Sequence, residues 1–383
     1  MKKKKSKIYW QQILIVGLSM AVGVLCGMLI VEYTDSLVLE DDLLVNPFVS
    51  GGLAFVGMVV GIYMLTIIHE AGHLVFGLLS GYTFSSFRIG SFLWMKEDGK
   101  LKMKRYSLAG TGGQCLMAPP DRKNGTYPVV LYNLGGVIFN VISSIVFLLL
   151  YYGLRQIKMA ALFCIILALI GILFAFTNGI PLQIGLINND GYNALCLKKN
   201  KKAMDAFWLQ LKVNEQISKG IRIKDMPEEW FQLPDPKDRN DSLVVAMAVF
   251  ACNRMMDAGN LKEADATMKS LLEGETAMIG IHRNMLICDR MYCEMVGENR
   301  KEVIDAMYTK QQKKFMKSMK NNPSILRTEL GYALKVEKDE KKVDKIKKQF
   351  EKCAKSYPYP GEIQSERELI DHLYTNNSKF SKE

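Results

Sequence analysis

Four histidines occur in this 383-residue chain, and two of them stand in His69-Glu70-Ala71-Gly72-His73. On a helix, residues four apart share a face, so both imidazoles can reach one divalent ion while Glu70 touches a water beside it. The motif follows directly on an apolar stretch, Leu43–Ile68, that holds no Asp, Glu, Lys or Arg. An ionisable group near the middle of a membrane helix costs about 2.5 kcal/mol or more and persists mainly at functional positions. The chemistry this pattern can support is metal-assisted hydrolysis with Glu70 as base. A catalytic zinc takes three protein ligands and leaves a fourth position for water, so a third donor must come from elsewhere. His282 and His372 lie in a polar, helix-patterned region and read as ordinary helix-surface residues. Asp190 is the better candidate, because it ends another apolar run in Asn188-Asn189-Asp190-Gly191, although Asn-Asp-Gly is also plain turn chemistry.

The elements that must position these residues are membrane helices. Four stretches lack any charged side chain: Ile8–Val31, Leu43–Ile68, Asn124–Leu154 and Met159–Asn189. Each exceeds the roughly 20 residues that cross about 30 Å of hydrocarbon. The first is preceded by Lys2–Lys5, but it is longer than a signal-peptide core and shows no obvious cleavage site, so it reads as a retained anchor. Its following loop carries Glu32, Asp35, Glu40, Asp41 and Asp42 with no Lys or Arg, which puts the N-terminus inside. The segment 81–123 returns to the same side with eight basic and three acidic residues. A basic run at Lys198–Lys202 then places the rest of the chain in the cytoplasm, with Arg155 and Lys158 in an external turn as a minor exception.

The motifs together are similar to those of the site-2 protease family of membrane zinc metalloproteases. His69-Glu70-Ala71-Gly72-His73 in one membrane helix, with Asn178-Gly-Ile-Pro181 and Asp190-Gly191 in a later one, matches the family's pattern. Gly136-Val-Ile-Phe-Asn140 resembles its G-P-x-x-N segment, and Gly112-Gly113-Gln-Cys-Leu-Met117 its glycine-rich strand beside the catalytic helices. The resemblance implies zinc on His69, His73 and Asp190, Glu70 as general base, and Asn140 holding or polarising the scissile carbonyl. Two departures stand out: Val137 replaces a proline, and the segment between Pro181 and Asp190 is longer than the family's commonest form.

Between the first two motifs, Phe84–Phe92 and Leu101–Leu108 flank Glu97-Asp98-Gly99 and are expected to form a β-hairpin whose edge could pair with extended substrate. That segment is too short to hold a PDZ domain. The eight cysteines show no C-x-x-C pair and read as buried small hydrophobes in a reducing compartment. The net charge of +11 comes from the N-terminal lysines and from solvated helix faces, and nucleic-acid binding is not expected. Beyond Lys198 the chain turns polar and helical, with a Leu233-Pro-Asp-Pro236 break. A faint repeat places Lys262, Lys301 and Lys341 in short polar turns, suggesting stacked helical hairpins that resemble tetratricopeptide repeats.

The expected architecture is mainly α. Residues 1–197 form a polytopic bundle of about four spans with a small β-hairpin loop. Residues 198–240 form a linker and first cytoplasmic helices, and 241–383 a soluble α-helical-hairpin domain. The expected function is zinc-dependent endoproteolysis of a membrane-anchored protein or peptide near the cytoplasmic face. The helical domain is then available to a cytoplasmic protein partner, and both termini are cytoplasmic in a cell membrane of bacterial type. The competing readings are a non-proteolytic zinc-binding membrane scaffold acting through the helical repeats, and a peripheral metalloprotease with a glutamate as third ligand.

Overall fold

A computed structural model describes residues 47–375 except 98 and 107–111, together with residues 17, 20, 24, 27 and 28. The first expected span, Ile8–Val31, lies almost wholly outside the described residues. The chain divides into two compact units, one of residues up to 90 with 109–200, the other of 91–108 with 201 onward.

In the first unit α1 (Pro47–Leu79) pairs with α2 (Val130–Leu154) and α3 (Lys158–Gly179), and α2 and α3 form an antiparallel hairpin joined by a turn at Arg155–Ile157. Among the described residues three helices are long and apolar enough to cross a membrane, over Phe55–Leu79, Val130–Leu154 and Lys158–Gly179. Their outward faces carry Phe55, Ile62, Ile145 and Leu149 exposed, while Leu65, Leu162, Ile166 and Leu167 pack inside. The helix ends differ from the limits of the charge-free runs. The charge-free run stops at Ile68, and α1 carries the histidine motif on the same helix, as expected, and continues to Leu79, because His69, Glu70 and His73 turn to the buried side and Leu74–Leu79 keep helical apolar patterning. The run beginning at Asn124 becomes helix only at Val130, since Asn124 and Gly125 sit at positive φ in a turn and Pro128 follows. The last run stops being helix at Gly179, where Ile180 is extended before Pro181. A two-stranded hairpin, β5 (Gln183–Ile184) with β6 (Ile187–Asn188), takes up the extra length before the short helix α4 (Asp190–Leu195).

The same unit holds β1 (Thr83–Ile89) paired antiparallel with β4 (Gly113–Ala118). The expected single strand over 84–92 is split, because Gly90 adopts φ 57° and turns the chain out of β1. The second unit begins with β2 (Phe92–Glu97) and β3 (Lys100–Arg105), an antiparallel hairpin closed by Glu97↔Lys100 with Gly99 at φ 75°.

Helices then follow: α5 (Lys201–Ser218), α6 (Ser242–Asp257), α7 (Leu261–Glu273), α8 (Gly280–Val296), α9 (Lys301–Met307), α10 (Lys310–Ser318), α11 (Pro323–Tyr332), α12 (Glu340–Ser356) and α13 (Pro360–Thr375). The three polar turns noted in the sequence each separate two helices. Each contains a left-handed residue: Gly259, Asn299 and Lys338. Leu271, Leu286, Met291, Tyr292, Leu326, Leu330 and Leu373 form the core shared by these helices. The segment 198–240 is packed as well, with Val213, Met226 and Phe231 clustering with Ala251 of α6. Seven described cysteines are free thiols.

Candidate metal centre

His69 and His73 lie one turn apart on the buried side of α1, with Glu70 beside them, and each is about nine-tenths buried. What allows α1 to bring imidazoles so near a neighbouring helix is glycine. A Cβ on Gly72 would stand 2.2 Å from the carbonyl oxygen of Gly135 on α2, and one on Gly135 would stand 2.4 Å from that of Gly72, so the two backbones touch at the motif. One position on, a Cβ on Gly136 would lie 2.5 Å from the His69 ring. Elsewhere on α1, a Cβ on Gly61 would crowd Ile170 and Leu167, whereas one on Gly52 would meet open space.

Asp190 is the first residue of α4, which packs on α2 and α3. Asn189 fixes that position. Its Oδ1 accepts from the backbone N–H of Leu182 and Tyr192, each at 2.9 Å, and its Nδ2 donates to the carbonyls of Thr177 at 2.8 Å and Ile180 at 2.7 Å. Every hydrogen-bonding group of its amide is engaged, and the end of α3, the hairpin and α4 are tied at one point.

The result is a group of three donors. His69 Nε2 lies 3.0 Å from Asp190 Oδ2, His73 Nε2 3.4 Å from the same oxygen, and the two Nε2 atoms 3.1 Å apart. Ligand atoms bound at zinc–ligand distances around a tetrahedral ion stand roughly 3.3 Å from one another, so the three edges match one face of such a site. The rings meet edge to face with centroids 4.8 Å apart, a geometry in which both lone pairs can point at a common centre. Among the described residues this is the group of histidine, cysteine and carboxylate side chains that could hold a metal ion. His282 and His372 belong to the helical unit instead.

The surrounding partners bear on the same geometry. His73 Nδ1 is 2.8 Å from the carbonyl oxygen of Tyr132, which can only accept, so Nδ1 carries the proton and Nε2 keeps its lone pair. Asn140 is fully buried, with Nδ2 2.9 Å from His69 Nδ1 and Oδ1 buried without a hydrogen bond. Asn178, by contrast, donates to the Phe174 carbonyl within its own helix at 3.0 Å and is not drawn into the donor group. Strand β4 runs past the other side of Glu70, where a Cβ on Gly113 would lie 2.7 Å from Glu70 Cγ.

Two participants escaped the sequence reading. Tyr132 acts through its backbone carbonyl, which no side-chain pattern announces. Asn189 was visible only as turn chemistry, yet an Asn directly before the first residue of a helix is an N-cap signal.

A family model, Peptidase family M50, matches residues 57–352. The chain belongs to peptidase family M50. This is the site-2 protease family, and membership makes the protein a metallopeptidase of membrane type, in keeping with its three span-length helices. Neither the curated proteins nor the solved structures offer a match. The M50 match covers α1 with its His69–His73 motif, the β1–β4 pair, Asn140 and Asp190, and runs on through the helical unit into α12.

Proposed function

We propose that the protein is a zinc-dependent intramembrane endopeptidase, hydrolysing a peptide bond of a membrane-anchored protein or peptide near the cytoplasmic face. The observation that carries this reading is the convergence of His69 Nε2, His73 Nε2 and Asp190 Oδ2 at 3.0–3.4 Å with Glu70 adjoining, between helices apolar enough to span a bilayer. When bound by these three, zinc supplies Lewis acidity that makes water a nucleophile near neutral pH and polarises a carbonyl.

The chain's own residues do the rest. Glu70, one residue from the first donor, accepts the proton of the attacking water and returns it to the departing amide nitrogen. The carbonyl of Tyr132 holds His73 in the tautomer a metal needs. His69 needs the same service, because a metal on Nε2 leaves the proton on Nδ1. A half-turn of the Asn140 amide brings Oδ1, now without a partner, onto that N–H. The turned amide then has its N–H groups free to donate to the scissile carbonyl, so one side chain orients a ligand and steadies developing negative charge. A helical substrate must unwind before its carbonyl is reachable. Strand β4 is paired with β1 on one side, has no described strand partner on the other, and passes Glu70. It offers an extended substrate segment a ladder to align on.

The test is Glu70→Gln in the purified protein, with a reporter membrane peptide. The reading predicts full zinc content with cleavage lost by three orders of magnitude or more, roughly the scale of removing a general base together with its charge. Asp190→Ala should instead lower zinc content. Cleavage unaffected by Glu70→Gln would remove the endopeptidase reading, and stoichiometric zinc with no cleavage by the unmodified protein would favour a scaffold.

A further inference from the structure

Away from the metal centre, the helical unit encloses a cavity of about 360 Å³ whose lining is unusual in charge. Four carboxylates, Asp257, Asp289, Glu362 and Glu366, face two guanidinium groups, Arg222 and Arg327, and there is no lysine. The pairing leaves the carboxylates of α13 short. Arg222 is held by Asp257 and by Glu368 outside the cavity, and Arg327 makes its hydrogen bond to Asp289.

Glu362 and Glu366, four residues apart on one face of α13, meet mainly neutral donors. The Tyr357 hydroxyl donates to Glu362 at 2.8 Å and the Ser324 hydroxyl to Glu366 at 2.7 Å. The second oxygen of Glu366 is buried with no hydrogen bond, at 3.4 Å from Arg327 Nε. Glu366 thus has only a distant share of the Arg327 guanidinium and Glu362 is met by a hydroxyl alone, an arrangement that is costly until a cation or a proton relieves it. Burial pushes both carboxyls up, Glu362 to about 7, while burial holds His282, which also lines the cavity, below its ordinary value and so uncharged.

A second feature of the same cavity is aromatic. Tyr106, at the end of the β2–β3 hairpin, and Tyr357 both line it, with ring centroids 5.8 Å apart. Tyr359 completes the trio, 5.8 Å from Tyr106 and 5.7 Å from Tyr357. Aromatic faces beside unneutralised carboxylates make up the chemistry that holds a desolvated organic cation.

We propose that this cavity is a binding site for an organic cation, an alkylammonium or guanidinium group, either free or carried on a peptide, received by Glu362 and Glu366 and covered by Tyr106 and Tyr357. The volume admits one such side chain with a few flanking atoms and no larger folded element. Because Tyr106 closes the site from the hairpin Phe92–Arg105, occupancy should also steady that hairpin.

Two probes separate the sources: butylguanidinium, and acetyl-Ala-Arg-Ala-amide with its citrulline counterpart as the neutral control. Binding to the full-length protein in detergent is read by calorimetry, and the hairpin by hydrogen exchange over residues 92–105. The expected result is saturable binding of an Arg-bearing or guanidinium probe, at least tenfold loss with citrulline, slower exchange in the hairpin, and at least tenfold loss in Glu362→Gln/Glu366→Gln. Peptide binding tenfold tighter than butylguanidinium assigns the site to a basic side chain, and equal binding assigns it to a free cation. The double variant adds no charge to the cavity, and its fold is checked by helical circular dichroism and unchanged zinc content. No saturable binding of either probe to the unmodified protein overturns the proposal. So does binding that the folded double variant retains in full.

Discussion

Gly136→Ala is the substitution that most sharply probes how the helices set the donor geometry. The added methyl would meet His69 Cε1 at 2.5 Å, Nδ1 at 2.6 Å and Nε2 at 2.7 Å, where ordinary contact begins at 3.4 Å. Either the ring moves by close to 1 Å or α2 backs away. The second course gives up the close packing one residue earlier, where Gly135 touches the Gly72 backbone. Metal–ligand distances tolerate only about 0.2 Å, so a ring shift of that size takes His69 Nε2 out of the shared centre. Overpacking of this kind costs about 1–3 kcal/mol, which corresponds to roughly 5- to 150-fold in zinc affinity if it falls on the bound state. Gly57→Ala is the matched control on α1, since its methyl would meet Ile166 at 3.5 Å and Phe163 at 3.7 Å, ordinary packing distances. Zinc affinity by chelator competition, with helix content followed by circular dichroism, reads both variants. We expect weaker zinc in Gly136→Ala and less than a twofold change in Gly57→Ala. Wild-type zinc affinity in a folded Gly136→Ala would refute the packing argument.

Three further expectations come from elsewhere in the chain. Asn189→Ala removes four hydrogen bonds and a helix cap at the residue before Asp190. It should lower stability by about 1–3 kcal/mol and zinc content with it, both measurable on one purified sample. Arg327→Ala strands Asp289 and Glu366 in the helical core and should cost about 3–5 kcal/mol in denaturant unfolding while leaving zinc content intact. For pH, the Glu362 carboxyl is raised from 4.5 to about 7, first by burial and then by Glu366 and Asp257, against the lowering effect of the Tyr357 hydroxyl. The folded state therefore holds the proton more tightly than the unfolded chain. Stability from this group is full below about 4.5 and is lost as pH rises through 7. Glu362→Gln should flatten that part of a melting-temperature profile, and an unchanged slope would show that another group is responsible.

How far the sequence alone reaches can be judged from particular residues. His69 and His73 were legible because a four-residue interval has one meaning on a helix, and the apolar flanks supplied the helix. Asp190 could be nominated from its place at the end of an apolar run and was supported by the resemblance, but the 116 residues between His73 and Asp190 carry no local signal of their approach. Absence of charge marks the runs but not the helix limits within them. The Asn124-Gly125 turn and Pro128 delay the start of α2, and the residues before Pro181 close α3, both inside apolar runs. The split of the first strand at Gly90 and the close approach of Gly72 to Gly135 depend on backbone conformation and tertiary packing. The polar turns near Lys262, Lys301 and Lys341 could be read because each needs a left-handed residue and short helix-breaking chemistry, which leave a pattern in the sequence.

The central claim is that one metal ion is held by two imidazoles of α1 and the carboxylate that opens α4. Zinc-edge X-ray absorption on the purified, zinc-loaded protein tests it most directly. The account predicts one zinc per chain, two imidazole nitrogens with the remaining ligands oxygen at about 2.0–2.2 Å, and loss of an imidazole signal in His73→Ala. A sulfur ligand at about 2.3 Å, or an unmodified protein that retains no stoichiometric zinc, would contradict it.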